Sequence, residues 1–398
     1  MKILVLASRF PWPLEKGDKL RVYHLIKELA REHEVTLCTL ADQPVPAEHL
    51  DQIHSLGATT HIVRLSWWRR ALRMAWAPLS SRPFQVHWFY QTPAARRIQA
   101  IISTAAPDHV FCQMIRMSEY VKESHEFPRT LDYMDALSAG MRRRSRLAHG
   151  PKRWLLAMEG RRLAQYEASI LNYFDHQTII SSADRNLISH PERKDIRVVP
   201  NGVDLPHFQA HTAALELKIA TSPRPHILLF TGNMAYPPNV RAAVRLVQRI
   251  LPLLNGLPVH VLIAGASPVA AVRGLAGPRV TVTGWLDDIR SAYRTGDLFV
   301  APLDIGTGLQ NKILEAMASG LPCVTTPNVA AGLPSPPRPA SGHHVCVATT
   351  DEDWAAAIRR LCEDEEAAAD LAQSGQDYVR KSASWSAAAA ELSITFAS

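Results

Sequence analysis

Residues Gly306 to Pro327 read GTGLQNKILEAMASGLPCVTTP. The order is a small glycine loop, a helical run and a short apolar strand. Gly306 and Gly308 let backbone amides turn toward a ligand. A helix beginning near Leu309 aims its free N–H donors and the positive end of its dipole at that loop, which makes an anion site suited to a diphosphate. Glu315 falls about two turns into the helix, where it can accept hydrogen bonds from the vicinal hydroxyls of a sugar. Gly320, Leu321 and Pro322 stop the helix, and Cys323-Val324-Thr325 resumes a strand. A phosphate cradle with a carboxylate nearby suggests a nucleotide-sugar pocket. The same strand–loop–helix unit also recurs in α/β domains that bind nothing.

Outward from this stretch the chain repeats the α/β pattern twice. Residues 2–8 (KILVLAS) predict a strand, 19–32 a helix with Leu20, Tyr23, Leu25, Ile26 and Leu29 on one face, and 34–40 the next strand. That order predicts a parallel sheet with helices on both faces. Further strands are expected at 61–65, 109–113, 130–133 and 176–181, and one long charged helix or a helix pair at 141–172. The run Val199-Pro200-Asn201-Gly202-Val203-Asp204 is punctuation rather than core. A second series begins at 226–230, with a helix at 239–254 and strands at 259–264, 279–283 and 298–302. Residues 352–374 and about 376–397 read as closing helices. The expected division is a domain 1–200, a domain 201–375 and a terminal helix 376–398.

The 398 residues suit two domains of ordinary size, and 47% hydrophobic with 20% charged residues is a globular composition. No stretch approaches the ~18 uncharged apolar residues that span a bilayer, and MKILVLASRFPWP reads as a buried first strand rather than a signal peptide. Cysteines 38, 112, 323, 346 and 362 show neither metal-ligand spacing nor a disulfide framework, so a reducing cytoplasm is expected. Charge is uneven. Residues 1–200 hold 29 Lys and Arg against 20 Asp and Glu, and the remainder holds 15 against 17. No nucleic-acid motif accompanies the basic half. Trp67-Trp68-Arg69-Arg70-Ala71-Leu72-Arg73-Met74-Ala75-Trp76 mixes aromatics with arginines as interfacial helices do. Arg142, Arg143, Arg144 and Arg146, then Lys152, Arg153 and Trp154, extend the basic character. An anionic membrane surface is one expected partner; a solvated helix face over core tryptophans explains the same residues.

Candidate site residues sit at strand ends. Gly17 and Arg21 follow the first strand, where the loop faces the crevice of an open sheet; a plain loop with a surface arginine reads alike. Gly232 and Asn233 follow the strand at 226–230, and Asn239 is placed to cap the next helix. Gly265 ends another strand, and Trp285 stands where it can stack on a base or fill a core. Lys312 lies near the positive end of the Glu315 helix, where a cation is costly without an anion beside it. Asp132 and Asp135 end a strand, as acceptor-orienting carboxylates or as ordinary turn formers.

Glu315-Ala316-Met317-Ala318, Gly320, Pro322, Val324 and Thr325 resemble the donor motif of glycosyltransferase family 4, whose fold is GT-B, two Rossmann-like domains facing each other across a cleft. SRFPWPLEKGDKLR at the start resembles bacterial sugar transferases of exopolysaccharide clusters. The resemblance covers nearly the whole chain. It implies a retaining, metal-independent transferase without a cofactor, moving a sugar from a nucleotide-diphosphate sugar to a hydroxyl of a lipid-linked or polysaccharide acceptor, in the cytoplasm or peripheral on the inner face of the plasma membrane. It implies that Glu315 binds the ribose and that Gly17, Gly232, Asn233, Gly265, Trp285, Gly306, Thr307, Gly308, Leu309 and Lys312 surround the donor. Asp132, Asp135 and Arg21 become the catalytic candidates. Two departures stand out. Thr307 occupies the place of the family's first motif Glu, with Asp304 the nearest carboxylate, and the Arg and Lys common near Gly232 are missing. The family's first-domain histidine has no assigned counterpart among His87, His109 and His125. A nucleotide-sugar 2-epimerase and a catalytically silent subunit share the fold and remain open.

Overall fold

The computed structural model describes residues 1–14, 16–209, 224–303, 310–333 and 344–397. The chain divides into two compact units, one made of Met1–Pro200 with the segment from Ala388 on, the other Asn201–Ala387.

The first unit is built on seven parallel strands: β1 Lys2–Ala7, β2 Glu34–Ala41, β3 Thr59–Arg64, β4 His109–Gln113, β5 Arg129–Asp132, β6 His176–Ile179 and β7 Arg197–Val198. Their order is β3-β2-β1-β4-β5-β6-β7. Central strands are apolar throughout because helices cover both faces; Ile3, Leu4, Val5 and Leu6 are buried, as are Val110, Phe111 and Cys112. Strand order reverses between β1 and β4, which opens a crevice beyond their carboxyl ends. The expected basic helix at 141–172 is a pair, Leu137–Leu147 and Gly150–Leu171. Gly150 at φ +58° followed by Pro151 makes the break.

The second unit has six parallel strands: β8 His226–Thr231, β9 Val259–Ala264, β10 Val280–Gly284, β11 Leu298–Ala301, β12 Cys323–Thr325 and β13 Cys346–Val347. Their order is β10-β9-β8-β11-β12-β13, so the reversal falls between β8 and β11. The helix expected at 239–254 runs as Pro237–Arg245, a π turn Leu246–Ile250 and a 3-10 turn Leu251–Leu254 containing Pro252. The expected closing helices are three, Asp351–Glu363, Glu365–Ser382 and Trp385–Ala397. Asp364 caps the second by accepting from the amide of Ala367, and Ser384 Oγ accepts from the amide of Ala387. Those short polar side chains stop what periodicity alone reads as continuous. The end of the last helix belongs to the first unit, where Phe396 packs on His109 and Thr395 meets Thr130.

Candidate active site

In the second unit the loops after β8, β9 and β10 lie side by side, and each turns on a glycine. Gly232 has φ +152°, Gly265 φ +136° and Gly284 φ +73°. The amide of Gly232 donates to Ala264 O, and that of Gly265 to Gly284 O, each at 3.0 Å. A Cβ on Gly265 would stand 2.0 Å from the Gly232 carbonyl oxygen. One on Gly232 would stand 2.6 Å from Asn239 Nδ2 and 2.9 Å from Lys312 Nζ. Only bare backbone permits that closeness.

The helix Asn311–Ala318 delivers two charged side chains to this edge. Lys312 Nζ donates to Asn239 Oδ1 at 2.7 Å and lies 5.1 Å from the centre of the Phe230 ring. Burial pulls its ammonium down to about 8, with Glu315 opposing. Glu315 Oε2 accepts from the Tyr293 hydroxyl at 2.7 Å, and that hydroxyl meets Thr231 Oγ1 at 2.9 Å. Burial raises the Glu315 carboxyl, while the Tyr293 bond and Lys312 favour its charge. The two side chains are half-buried, and each charged end is held by a protein partner. Asn201, from the run between the units' sheets, donates to Asn311 Oδ1 at 3.3 Å. Asn233 is exposed; its carbonyl accepts from Asn239 Nδ2 at 2.9 Å. Asn239 therefore braces a loop and a lysine rather than acting as the expected helix cap. Trp285 is 62% exposed, so it is no core tryptophan.

Gly306, Thr307, Gly308, Leu309 and Asp304 lie outside the described residues. The helix itself begins at Asn311, behind Gln310. Tyr293 and Thr231 were not read from the sequence: a tyrosine inside a short helix and a threonine ending a strand carry no pattern, and only the fold links them, one through the other, to Glu315.

In the first unit Arg21 and Asp132 form a bidentate pair, Nε to Oδ2 at 2.7 Å and Nη2 to Oδ1 at 3.1 Å. Thr178 donates to the same carboxylate at 2.9 Å, and both charged side chains are 0% exposed. This corrects the expectation for both residues. Neither presents its charge to a substrate; together they clamp the helix Gly17–Leu29 to β5, and burial without the pair would be prohibitive. Asp135 is the exposed carboxylate of this edge, just past Met134 at φ +64°. Close packing around it and Asp184 raise its carboxyl to about 6, against the pull of Arg116 and Arg143. A Cβ on Gly17 would meet open space, so the protein's own packing does not require glycine there. Beside Gly17 a cavity of about 350 Å³ is lined by Arg9, Trp12, Lys16, Lys19 and Trp88 among others. His109 is a core residue at the start of β4, held by Thr130, its imidazole lowered to about 4 by burial.

Among the described residues no group of three or more His, Cys, Asp or Glu is placed to hold a metal. The one Asp-x-Asp string, Asp351-Glu352-Asp353, opens a helix. There Asp353 completes a capping box with Thr350, and Asp351 pairs with Arg245 and Arg249.

Residues 225–364 match the family model described as glycosyl transferases group 1. No curated protein sequence matches the chain. Among solved structures, Anabaena HepE in complex with UDP and glucose superposes with a TM-score of 0.67 at 14% identity, covering 100% of this chain and 99% of that one. A glycosyltransferase from Rickettsia africae gives 0.66 at 13%, covering 99% and 97%. Sucrose-phosphate synthase from Thermosynechococcus elongatus gives 0.65 at 16%, covering 99% and 98%. The fold is GT-B, two Rossmann-like domains with parallel sheets. With the group 1 segment on the second of them, these findings indicate a glycosyltransferase.

Proposed function

We propose that the chain is a retaining, metal-independent glycosyltransferase of family 4. It moves a sugar from a nucleotide-diphosphate sugar to a hydroxyl of a lipid-linked or polysaccharide acceptor in exopolysaccharide or other cell-surface glycan synthesis. The observation that carries this reading is the Thr231–Tyr293–Glu315 chain beside Lys312, set against three adjacent glycine turns, the first of them at the switch point of the second sheet. Glu315, oriented by Tyr293, takes the ribose hydroxyls. Gly232, Asn233 and Gly265 let the nucleotide approach backbone, and Trp285 offers its exposed face to the base. The positive end of the Asn311–Ala318 helix and the Lys312 ammonium stabilise the leaving diphosphate. UDP is the favoured nucleotide, because HepE is solved with UDP, UDP–glucose and glucose.

Asp135, exposed with a carboxyl near 6, is the better-placed group of the two aspartates to orient or deprotonate an acceptor hydroxyl. The cationic, aromatic cavity around Arg9, Trp12, Lys16, Lys19 and Trp88 suits an acceptor that carries phosphate. The protein works in the cytoplasm, peripherally on the inner face of the plasma membrane. No helix of the described residues is long and apolar enough to cross a membrane.

The test is calorimetric titration with UDP, GDP, ADP and dTDP and their sugars, without metal, repeated for Glu315→Ala. Hydrogen bonds to a charged group contribute about 1.5–3 kcal/mol, so roughly 10- to 150-fold weaker binding of one nucleotide is expected in the variant. Equal affinity in both proteins removes Glu315 from the pocket. No binding of any nucleotide removes the donor site.

A further inference from the structure

The helix Trp67–Trp76 is turned inside out. Its inner side is arginine. Arg70 is buried, donates to Asp42 and to the Trp88 carbonyl, and lies 4.5 Å over the Trp88 ring. Arg73 lies 4.8 Å over the Tyr90 ring. Its outer side is apolar. Trp68, Leu72 and Trp76 recur at every fourth residue and face solvent, Leu79 continues the stripe, and Trp67 stands beside it. Trp67 is 78%, Trp76 67% and Leu79 80% exposed. Scattered exposed apolar residues need no explanation, but a continuous stripe marks a binding face.

Next to this stripe a cavity of about 320 Å³ is lined by Arg64, Arg69 and Arg97, with Ser66 and Gln91 bonded to each other on its rim. None of the three arginines has an acidic partner among the described residues. The sequence between Asp51 and Asp108 contains no Asp or Glu at all. A second element adds to the face. The helix Gly150–Leu171 packs on the same segment through Arg162, which donates to Ala77 and Pro78, and Glu159, which accepts from Phe84 and Gln85. One turn before Glu159 it exposes Leu155, with Trp154, Lys152 and Arg153 adjoining.

We infer that this face docks on an anionic phospholipid bilayer. The stripe Trp68–Leu72–Trp76–Leu79 enters the boundary between headgroups and acyl chains, and the Arg64–Arg69–Arg97 cavity takes a lipid phosphate. Charge complementarity selects this occupant: an apolar stripe alone would suit a second copy of the chain, but a copy brings its own uncompensated arginines. The inference rests on the peripheral placement proposed above and names the surface responsible. Its readout is lipid binding, which is independent of sugar transfer.

The experiment is sedimentation of the full chain with vesicles of phosphatidylcholine alone or with phosphatidylglycerol added, alongside tryptophan quenching by brominated acyl chains. The expected result is binding and quenching only with phosphatidylglycerol present. Leu72→Glu with Trp76→Ser, both at exposed positions, reduces binding to background while the UDP titration is unchanged. Arg64→Gln and Arg97→Gln each weaken binding about fivefold. Vesicle binding that survives Leu72→Glu/Trp76→Ser overturns the inference. So does inorganic phosphate displacing the protein fully from vesicles, which makes the cavity a free-phosphate site. A dimer that Leu72→Glu dissolves, without vesicle binding, assigns the face to a second copy instead.

Discussion

Lys312 is the cation that the proposed function sets against the donor diphosphate. Burial holds its ammonium at about 8, so it loses its proton within an accessible pH range. Nucleotide affinity is therefore expected to fall as pH rises through 8, and titration calorimetry at pH 7 and 9 measures the drop; Lys312→Met flattens it. The stability of the unliganded protein has the opposite sign. The folded value lies below the ordinary 10.5, so the unfolded chain binds more protons between 8 and 10.5. The penalty is complete below 8 and is relieved as pH rises across that window. Asp135 gives a second pH signature. With its carboxyl at about 6, kcat/KM for transfer is expected to decline below pH 6. Asp135→Asn is expected to lower the rate at neutral pH by about 10²- to 10⁴-fold and to abolish that limb. An unchanged profile in the variant would remove Asp135 from the chemistry.

At the scale of elements, the glycine turns let the loops after β8 and β9 approach each other. Gly265→Ala places a methyl 2.0 Å from the Gly232 carbonyl at φ +136°. It is expected to cost on the order of 1–3 kcal/mol, seen as a lower urea midpoint, and to weaken nucleotide binding because two loops must part. Gly17→Ala is the contrast. Its Cβ meets open space inside a helix, so stability is expected to hold or rise by about 0.4–1 kcal/mol. Loss of transfer in that stable variant would show that a substrate approaches the backbone at Gly17.

At the scale of the whole molecule, the last helix completes the first unit although it follows the second in the chain. Phe396 fills the space beside His109 and Phe111. Phe396→Ala is expected to cost about 3–5 kcal/mol through the cavity it leaves. Because that cavity lies in the first unit, calorimetry should show a lower unfolding midpoint while UDP affinity in the folded protein stays the same. A parallel loss of UDP affinity would contradict the assignment of the helix end to one core.

The sequence by itself determined the two α/β series, their parallel sheets and the places where loops leave the strands. Period, glycine and proline are local signals, and they placed Gly232 and Gly265 at strand ends and Glu315 on a helix, which is where they stand. The arginines and tryptophans of 67–76 were legible as an interfacial composition. Tertiary structure alone decided which of the charged candidates are buried in pairs and which reach the surface. Arg21 and Asp132 read as cleft residues, yet 111 positions apart they neutralise each other in the core; a pairing at that separation has no period in the sequence. Tyr293 reached Glu315, and Asp135 rather than Asp132 reached the surface, for the same reason. Exposure and partnership depend on which strands lie side by side, and strand order is a property of the folded chain.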